Sequence, residues 1–220
     1  MNRSAWRRKP ARAEPSGGRI FPVVAGLMER LAFFRSFLGN PSTIGAVSPS
    51  SRVLARAMVE GCSMESAETV VELGPGTGAF TRLILDRIGP ATTFFALELD
   101  PNHARILRRK FRGVQVYEDS AAKLIEYLGQ HRKANVDYIV SGLPWANFPG
   151  RAQGQLLAAI QTALAPAGVF VTFAYAHACW LSQAKQFRRD LSARFGCVET
   201  SPIVWRNLPP AFVYRCRQSR

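Results

Sequence analysis

Acidic residues are scarce in this chain. Fifteen Asp and Glu stand against twenty-nine Lys and Arg, a formal charge of +14 on 220 residues. The imbalance implies contact with something anionic: nucleic acid, a phospholipid surface or an acidic substrate. Sign alone does not choose among them, and an Arg-rich coding bias would give the same sum. Cysteines are few and scattered, at Cys62, Cys179, Cys197 and Cys216, with no CxxC pair and no paired His spacing. Neither a metal site nor a small disulfide framework is expected, and reduced thiols in a cytosolic protein are the plain reading. No apolar run approaches the ~20 residues that span a bilayer. The short run from Ile20 to Met28 is ended by Glu29 and Arg30, with no small-residue cleavage site after it. No signal peptide is expected.

What is present divides the chain in three. Residues 1–18 hold Arg, Pro, Gly and Ser with almost no apolar content, and read as a basic, disordered tail. Residues 19–60 read as helical. Val24, Leu27, Met28, Leu31, Phe34 and Leu38 recur in steps of three and four, which puts them on one helical face. Asn40-Pro41 stops that helix. Ser48-Pro49 is expected to start another, with Ser48 as N-cap, carrying Val53, Leu54, Ala57 and Met58.

From residue 61 to 220 strands and helices alternate. Strands are expected over 69–73, 93–97, 114–117, 136–140 and 169–175. Helices are expected at 79–88, 101–111, 121–128, 153–164 and 181–195. Two late segments, 203–205 and 212–216, read as strands closing the sheet edge. This alternation predicts a mostly parallel α/β sheet with helices on both faces. Its ligand site belongs at the carboxyl ends of the strands, near the switch point.

The informative stretch is Glu72-Leu73-Gly74-Pro75-Gly76-Thr77-Gly78, a buried strand that runs into a turn with three glycines and then a helix. Glycines let the backbone turn sharply and approach a ligand closely. The spacing is G-x-G-x-G, not the G-x-G-x-x-G of dinucleotide enzymes. Glu72 at the strand end would repel a pyrophosphate but not a cation without phosphate. S-adenosylmethionine, with its sulfonium and α-ammonium, is such a cation. Glu98 ends the second strand twenty residues beyond Gly78, about where nucleotide-binding folds place a carboxylate on ribose hydroxyls. Asp100 is expected to point away. Asp119, with Ser120 after it, follows the third strand, where it could accept from an adenine amino group.

These residues resemble the first motif of the class I methyltransferases, which have a seven-stranded Rossmann-like fold. From about Phe33 to Arg217 the chain is similar to the bacterial phospholipid N-methyltransferases. Four stretches carry the likeness: Phe37–Pro41 with Gly45–Ser51, Glu72–Thr81, Ser141–Trp145 and Trp205–Ala211. The resemblance implies S-adenosylmethionine as cofactor and stepwise methylation of phosphatidylethanolamine towards phosphatidylcholine. It implies cofactor contacts from Glu72, Gly74, Pro75, Gly76, Thr77, Gly78, Glu98, Asp119, Ser120 and Ser141. A more distant likeness joins the chain to the rRNA adenine dimethyltransferases. Their Asn-Leu-Pro-Tyr is replaced here by Ser141-Gly142-Leu143-Pro144-Trp145, which lacks the Asn that holds the adenine amino group. Within these 220 residues their additional helical RNA-binding domain is not expected. Alternative readings are an RNA or small-molecule N-methyltransferase, or a catalytically silent lipid- or RNA-binding protein of the same fold.

Methyl transfer from a sulfonium is an in-line displacement, so the protein's work is chiefly positioning. Leu143, Pro144, Trp145, Tyr175 and His177 are the candidates for the acceptor side. Trp145 and Tyr175 either face a cationic amine by cation–π contact or pack the loop lid. Tyr175, His177 or water would take the proton of a first-round amine, and no catalytic residue is assigned. The Arg-flanked apolar face near the N-terminus suits an interfacial helix on an anionic membrane, a lid over the cofactor, or both. The resulting expectation is a cytoplasmic enzyme, peripheral on the inner face of the cytoplasmic membrane, with phospholipid as partner ahead of nucleic acid.

Overall fold

The computed structural model describes residues 51–218. The basic tail, the apolar-faced segment of residues 21–38 and the Ser48 cap lie outside them. The first described helix, α1 (Arg52–Val59), is capped by Ser51, whose hydroxyl accepts from the Leu54 N–H at 3.1 Å. The cap therefore sits three residues later than the Ser48-Pro49 signal suggested. A serine closer to the first buried residue, Leu54, closes the turn.

Seven strands form one sheet: β1 (Thr69–Leu73), β2 (Thr93–Glu98), β3 (Gln115–Glu118), β4 (Val136–Ser141), β5 (Leu164–Tyr175), β6 (Cys197–Thr200) and β7 (Ala211–Arg217). Their spatial order is β3-β2-β1-β4-β5-β7-β6. Only β7 runs antiparallel to its neighbours. Between strands lie α2 (Ala79–Leu85), α3 (Pro101–Lys110), α4 (Leu124–Gln130), α5 (Gly150–Ala163) and α6 (Ser182–Arg194). The order reverses between β1 and β4, so the crevice at the carboxyl ends of these two strands is the topological switch point.

Side chains alternate across the sheet with the period of two that a strand imposes. Val71, Leu73, Ile139 and Phe170 face one layer, with Leu124, Leu156, Ile160, Phe187 and Leu191 from α4, α5 and α6. Val70, Val140, Val171 and Val213 face the other, against Leu54 and Met58 of α1 and Phe80 and Ile84 of α2. All five residues of β1 are buried, as a central strand covered on both faces requires.

The late strands differ from expectation. Residues 203–205 do not form a strand; Val204 makes a single bridge to Ala211. The outermost strand is β6, whose side chains are mostly exposed, so no apolar run marks it. Leu164, expected to end a helix, instead begins β5 opposite Val136. The loop before β7 is tied back to the start of α1. Asn207 is buried, its Oδ1 accepts from the Ser51 N–H at 2.9 Å, and its Nδ2 donates to the Pro209 carbonyl at 2.7 Å. Each sheet edge is four residues long. At β3 the Arg108 guanidinium donates to the Val116 carbonyl (3.1 and 2.8 Å), and at β6 Arg217 pairs with Glu199 at 3.0 Å.

Candidate active site

The loops after β1, β2 and β4 meet at the switch point. The Gly74 N–H donates to the Leu97 carbonyl and the Gly142 N–H to the Leu73 carbonyl, both at 2.8 Å. The β1 loop turns through left-handed backbone at Gly74 (φ 67°), Gly76 (φ 57°) and Gly78 (φ 82°). Two of these glycines are also crowded. A Cβ on Gly74 would lie 2.6 Å from Leu143 Cδ2, and one on Gly78 would lie 2.4 Å from the Phe111 ring. A Cβ on Gly76 would meet nothing within 4 Å. Gly76 thus turns its bare backbone to open space. Pro75 is buried beside it, while Thr77 is exposed and its carbonyl accepts from Lys110 Nζ at 3.0 Å.

Two carboxylates lie beneath this loop. Glu72 is wholly buried; its Oε2 accepts from the Thr81 hydroxyl at 2.7 Å, and its Oε1 has no partner. Burial pushes the Glu72 carboxyl up to about 8, and the neighbouring Glu98 adds to the rise against the Thr81 hydrogen bonds. Glu98 accepts from the Gly76 N–H (2.8 Å) with one oxygen and from the Asp100 N–H (2.9 Å) with the other. Burial raises Glu98 as well, opposed by those two N–H groups. Glu98 therefore fixes the glycine loop directly, and each oxygen retains a further acceptor position. Asp100 points away from the loop and caps α3, accepting from the Asn102 and His103 N–H groups. At the end of β3, burial acts to raise the Asp119 carboxyl. The Lys123 ammonium (3.0 Å), the Ser120 N–H (2.7 Å) and the Tyr127 hydroxyl (2.9 Å) overcome it, and the group is lowered. Ser120 is buried and caps the following turn through the Ala122 N–H.

The protonation of Glu72 has a measurable consequence. Between its ordinary value of 4.5 and about 8, the folded protein holds a proton that the unfolded chain has released. Folding stability of the ligand-free protein is then fullest below pH 4.5 with respect to this group, and it is lost as pH rises through 8. Glu98 adds to the same slope. Urea midpoints at pH 5 and pH 8 should differ less in Glu72→Gln than in the parent. An unchanged difference would remove Glu72 as its source.

The loop after β4 corrects two expectations. Trp145 is only 2% exposed. Its ring stacks on Phe187 at 4.5 Å and meets Phe148 and Phe170 edge-on at 5.9 and 6.0 Å. Its Nε1 donates to Ser141 Oγ at 3.2 Å. Trp145 is thus a core residue, not an open wall for an amine, because three Phe rings offer it a better apolar site than water does. Ser141 is likewise wholly buried. Its Oγ also accepts from the Leu143 N–H (3.3 Å), so its side chain braces the loop instead of facing a cofactor. Leu143 is buried against Gly74, and Pro144 is partly buried. Tyr175, at the end of β5, is half-buried between Phe173 (5.4 Å, edge-on) and His177 (5.7 Å), and burial raises its hydroxyl. His177 is exposed.

The site residues that sequence reasoning passed over are Gly142 and Gln153. A Cβ on Gly142 would stand 2.4 Å from the Gly74 carbonyl oxygen, so the β1 and β4 loops press together backbone to backbone. A glycine opposite a glycine loop was the available signal. Buried Gln153 on α5 donates to the carbonyls of Trp145 (2.7 Å) and Gln183 (3.2 Å), holding the Trp145 turn from behind.

Solved structures share this fold. The chain superposes with a TM-score of 0.57 on human methyltransferase-like protein 13 in complex with SAH, at 17% identity over 76% of this chain and 79% of that one. It superposes at 0.62 on TrmN from Thermus thermophilus, at 16% identity over 84% of this chain and 53% of the other. No family model matches. Among curated proteins, the ornithine lipid N-methyltransferase of Singulisphaera acidiphila is 37% identical over 188 residues, 84% of this chain and 94% of the relative. This chain belongs to the lipid N-methyltransferase family. A shorter match, 35% identical over 98 residues, joins the enzyme to the ribosomal RNA small subunit methyltransferase A of Acidobacterium capsulatum. It covers 43% of the enzyme and 33% of that relative.

The methyl donor of the enzyme is S-adenosylmethionine, and the residues present fit it. A buried carboxyl with an unpartnered oxygen and a second carboxylate beneath an uncrowded glycine suit a cation without phosphate.

Proposed function

We propose that the enzyme methylates the primary amine of a membrane-lipid headgroup and that phosphatidylethanolamine is accepted and carried towards phosphatidylcholine. The carrying observation is the pair of buried carboxyls, Glu72 and Glu98, under a glycine loop whose middle residue faces open space. When bound, S-adenosylmethionine supplies an electrophilic methyl group. Glu98 holds the loop and keeps acceptor positions for hydroxyls, and Glu72 offers its free oxygen to positive charge. Asp119, already gripped by Lys123 and Tyr127, offers its remaining lone pairs to an amino group. Tyr175 keeps its hydroxyl proton at neutral pH, since burial raises it, so it lines the acceptor side and takes no proton. The ammonium of a first-round acceptor loses its proton to water or to exposed His177.

An ornithine lipid is the second reading, supported by the relative that is 37% identical and named for that substrate. Both headgroups end in a primary alkyl amine. The basic sequence, with a formal +14, supports action at the anionic inner face of the cytoplasmic membrane, with residues 19–38 as an attachment segment. The test is purified enzyme with labelled S-adenosylmethionine and vesicles that contain either lipid, followed by separation of the products. Label in mono-, di- and trimethylated phosphatidylethanolamine is the expected result. Label in ornithine lipid alone would replace the acceptor, and label in RNA with none in lipid would overturn the reading.

A further inference from the structure

Large apolar side chains are exposed at one place that the methyl-transfer site does not use. Trp180 is 81% exposed, Leu208 80% and Trp205 73%, with Leu181 and Ile203 also open. Most exposed apolar residues on a soluble protein are single and need no explanation. These are brought together by the backbone. Trp180 ends the short 3₁₀ helix Ala176–Trp180 that follows β5, and Trp205 and Leu208 lie on the loop before β7. The two segments are joined where they leave the sheet: Tyr175 pairs with Ala211, the Ala176 N–H donates to the Pro210 carbonyl at 2.8 Å, and Val204 bridges Ala211. The junction lies at the carboxyl end of β5, on the side of the sheet where the glycine loop sits.

Charge at this junction is mostly positive, with Asp190, partly buried and bonded to Gln186, as the acid beside the cations of α6. No Asp or Glu occurs from 164 to 189 or from 200 to 220, whereas Lys185, Arg188, Arg189 and Arg206 are exposed. Tryptophan with leucine and flanking cations is the composition that settles at a bilayer interface, rings at headgroup depth and cations on anionic phosphates. Ser51, the first described residue, is held to this same loop through Asn207.

We propose that Trp180, Trp205 and Leu208 form a membrane-docking rim at the carboxyl end of the sheet, which seats the mouth of the methyl-transfer site on an anionic phospholipid surface. The proposal rests on the lipid-acceptor reading for its purpose, but its test does not depend on turnover. The rim holds the site against the bilayer, so a headgroup enters without its acyl chains leaving the membrane.

The test uses the full chain with vesicles of phosphatidylethanolamine and phosphatidylglycerol. The triple variant Trp180→Ala, Trp205→Ala, Leu208→Ala should sediment with vesicles at least about tenfold less than the parent, from the apolar area withdrawn. Its melting temperature and its turnover of a water-soluble short-chain phosphatidylethanolamine should be unchanged. In a Trp6→Phe background, brominated acyl chains should quench Trp180 and Trp205. Sedimentation equal to the parent's would overturn the proposal. So would vesicle binding without quenching, the result expected if the chain's own residues 19–38 cover the rim. Quenched, vesicle-bound enzyme that methylates no lipid amine supports the rim and overturns the acceptor reading instead.

Discussion

Gly142→Ala should cut turnover by about 100-fold or more, the scale expected when reacting groups are displaced by about an ångström. The added methyl would begin 2.4 Å from the Gly74 carbonyl oxygen, against backbone with no rotamer to change. The β1 loop must then move off the β4 loop, and Gly76 and the Glu98 hydrogen bond move with it. The overpacking should also cost about 1–3 kcal/mol of folding stability. Gly76→Ala is the matched comparison. It meets nothing in the ligand-free protein and carries only the cost of a left-handed residue, about 1–2 kcal/mol. Calorimetry with S-adenosylhomocysteine and urea denaturation check both. Near-parental affinity in Gly142→Ala would show that the two loops are not mechanically joined.

Trp145→Ala should destabilise the fold by about 3–5 kcal/mol, the range for emptying a large aromatic site in a core. The ring is stacked on Phe187 and fixed by its hydrogen bond to Ser141, so truncation leaves a hole lined by three Phe side chains. At this chain length the loss should lower the melting temperature by roughly 10 °C. Trp145→Phe should cost less, since a ring remains and Ser141 Oγ still accepts from the Leu143 N–H. The readouts are thermal and chemical denaturation, run beside lipid turnover. A variant that melts like the parent yet fails only on lipid would return Trp145 to the acceptor side.

The contrast between Trp145 and the glycine loop shows what a sequence carries. The alternation of β-branched runs with helical spacing revealed the parallel sheet, because burial on both faces writes itself into composition. The positions of Glu72, Glu98 and Asp119 were legible for a related reason: each lies at or beside the carboxyl end of a strand, and strand ends converge in such a sheet. What a side chain faces was less legible. Nothing in Leu-Pro-Trp says that Phe170 and Phe187 will join nearby Phe148 around the indole, since Phe170 comes from a later strand and Phe187 from a later helix. Cys197–Thr200 was missed because an edge strand with exposed side chains has no apolar period to read. Ile203, Val204 and Trp205 were apolar enough to pass for one, yet Ile203 and Trp205 face outward and only Val204 pairs.

The two short outer strands bear on how this enzyme behaves when crowded. An open strand edge is a template on which another copy can pair, and long bare edges drive aggregation. Here each edge offers four residues, one with a carbonyl already taken by Arg108 and the other beside the Arg217–Glu199 ion pair. A formal charge of +14 would concentrate the chain at any anionic surface it meets. The sheet can reach high local density without offering its neighbours a seam along which to polymerise.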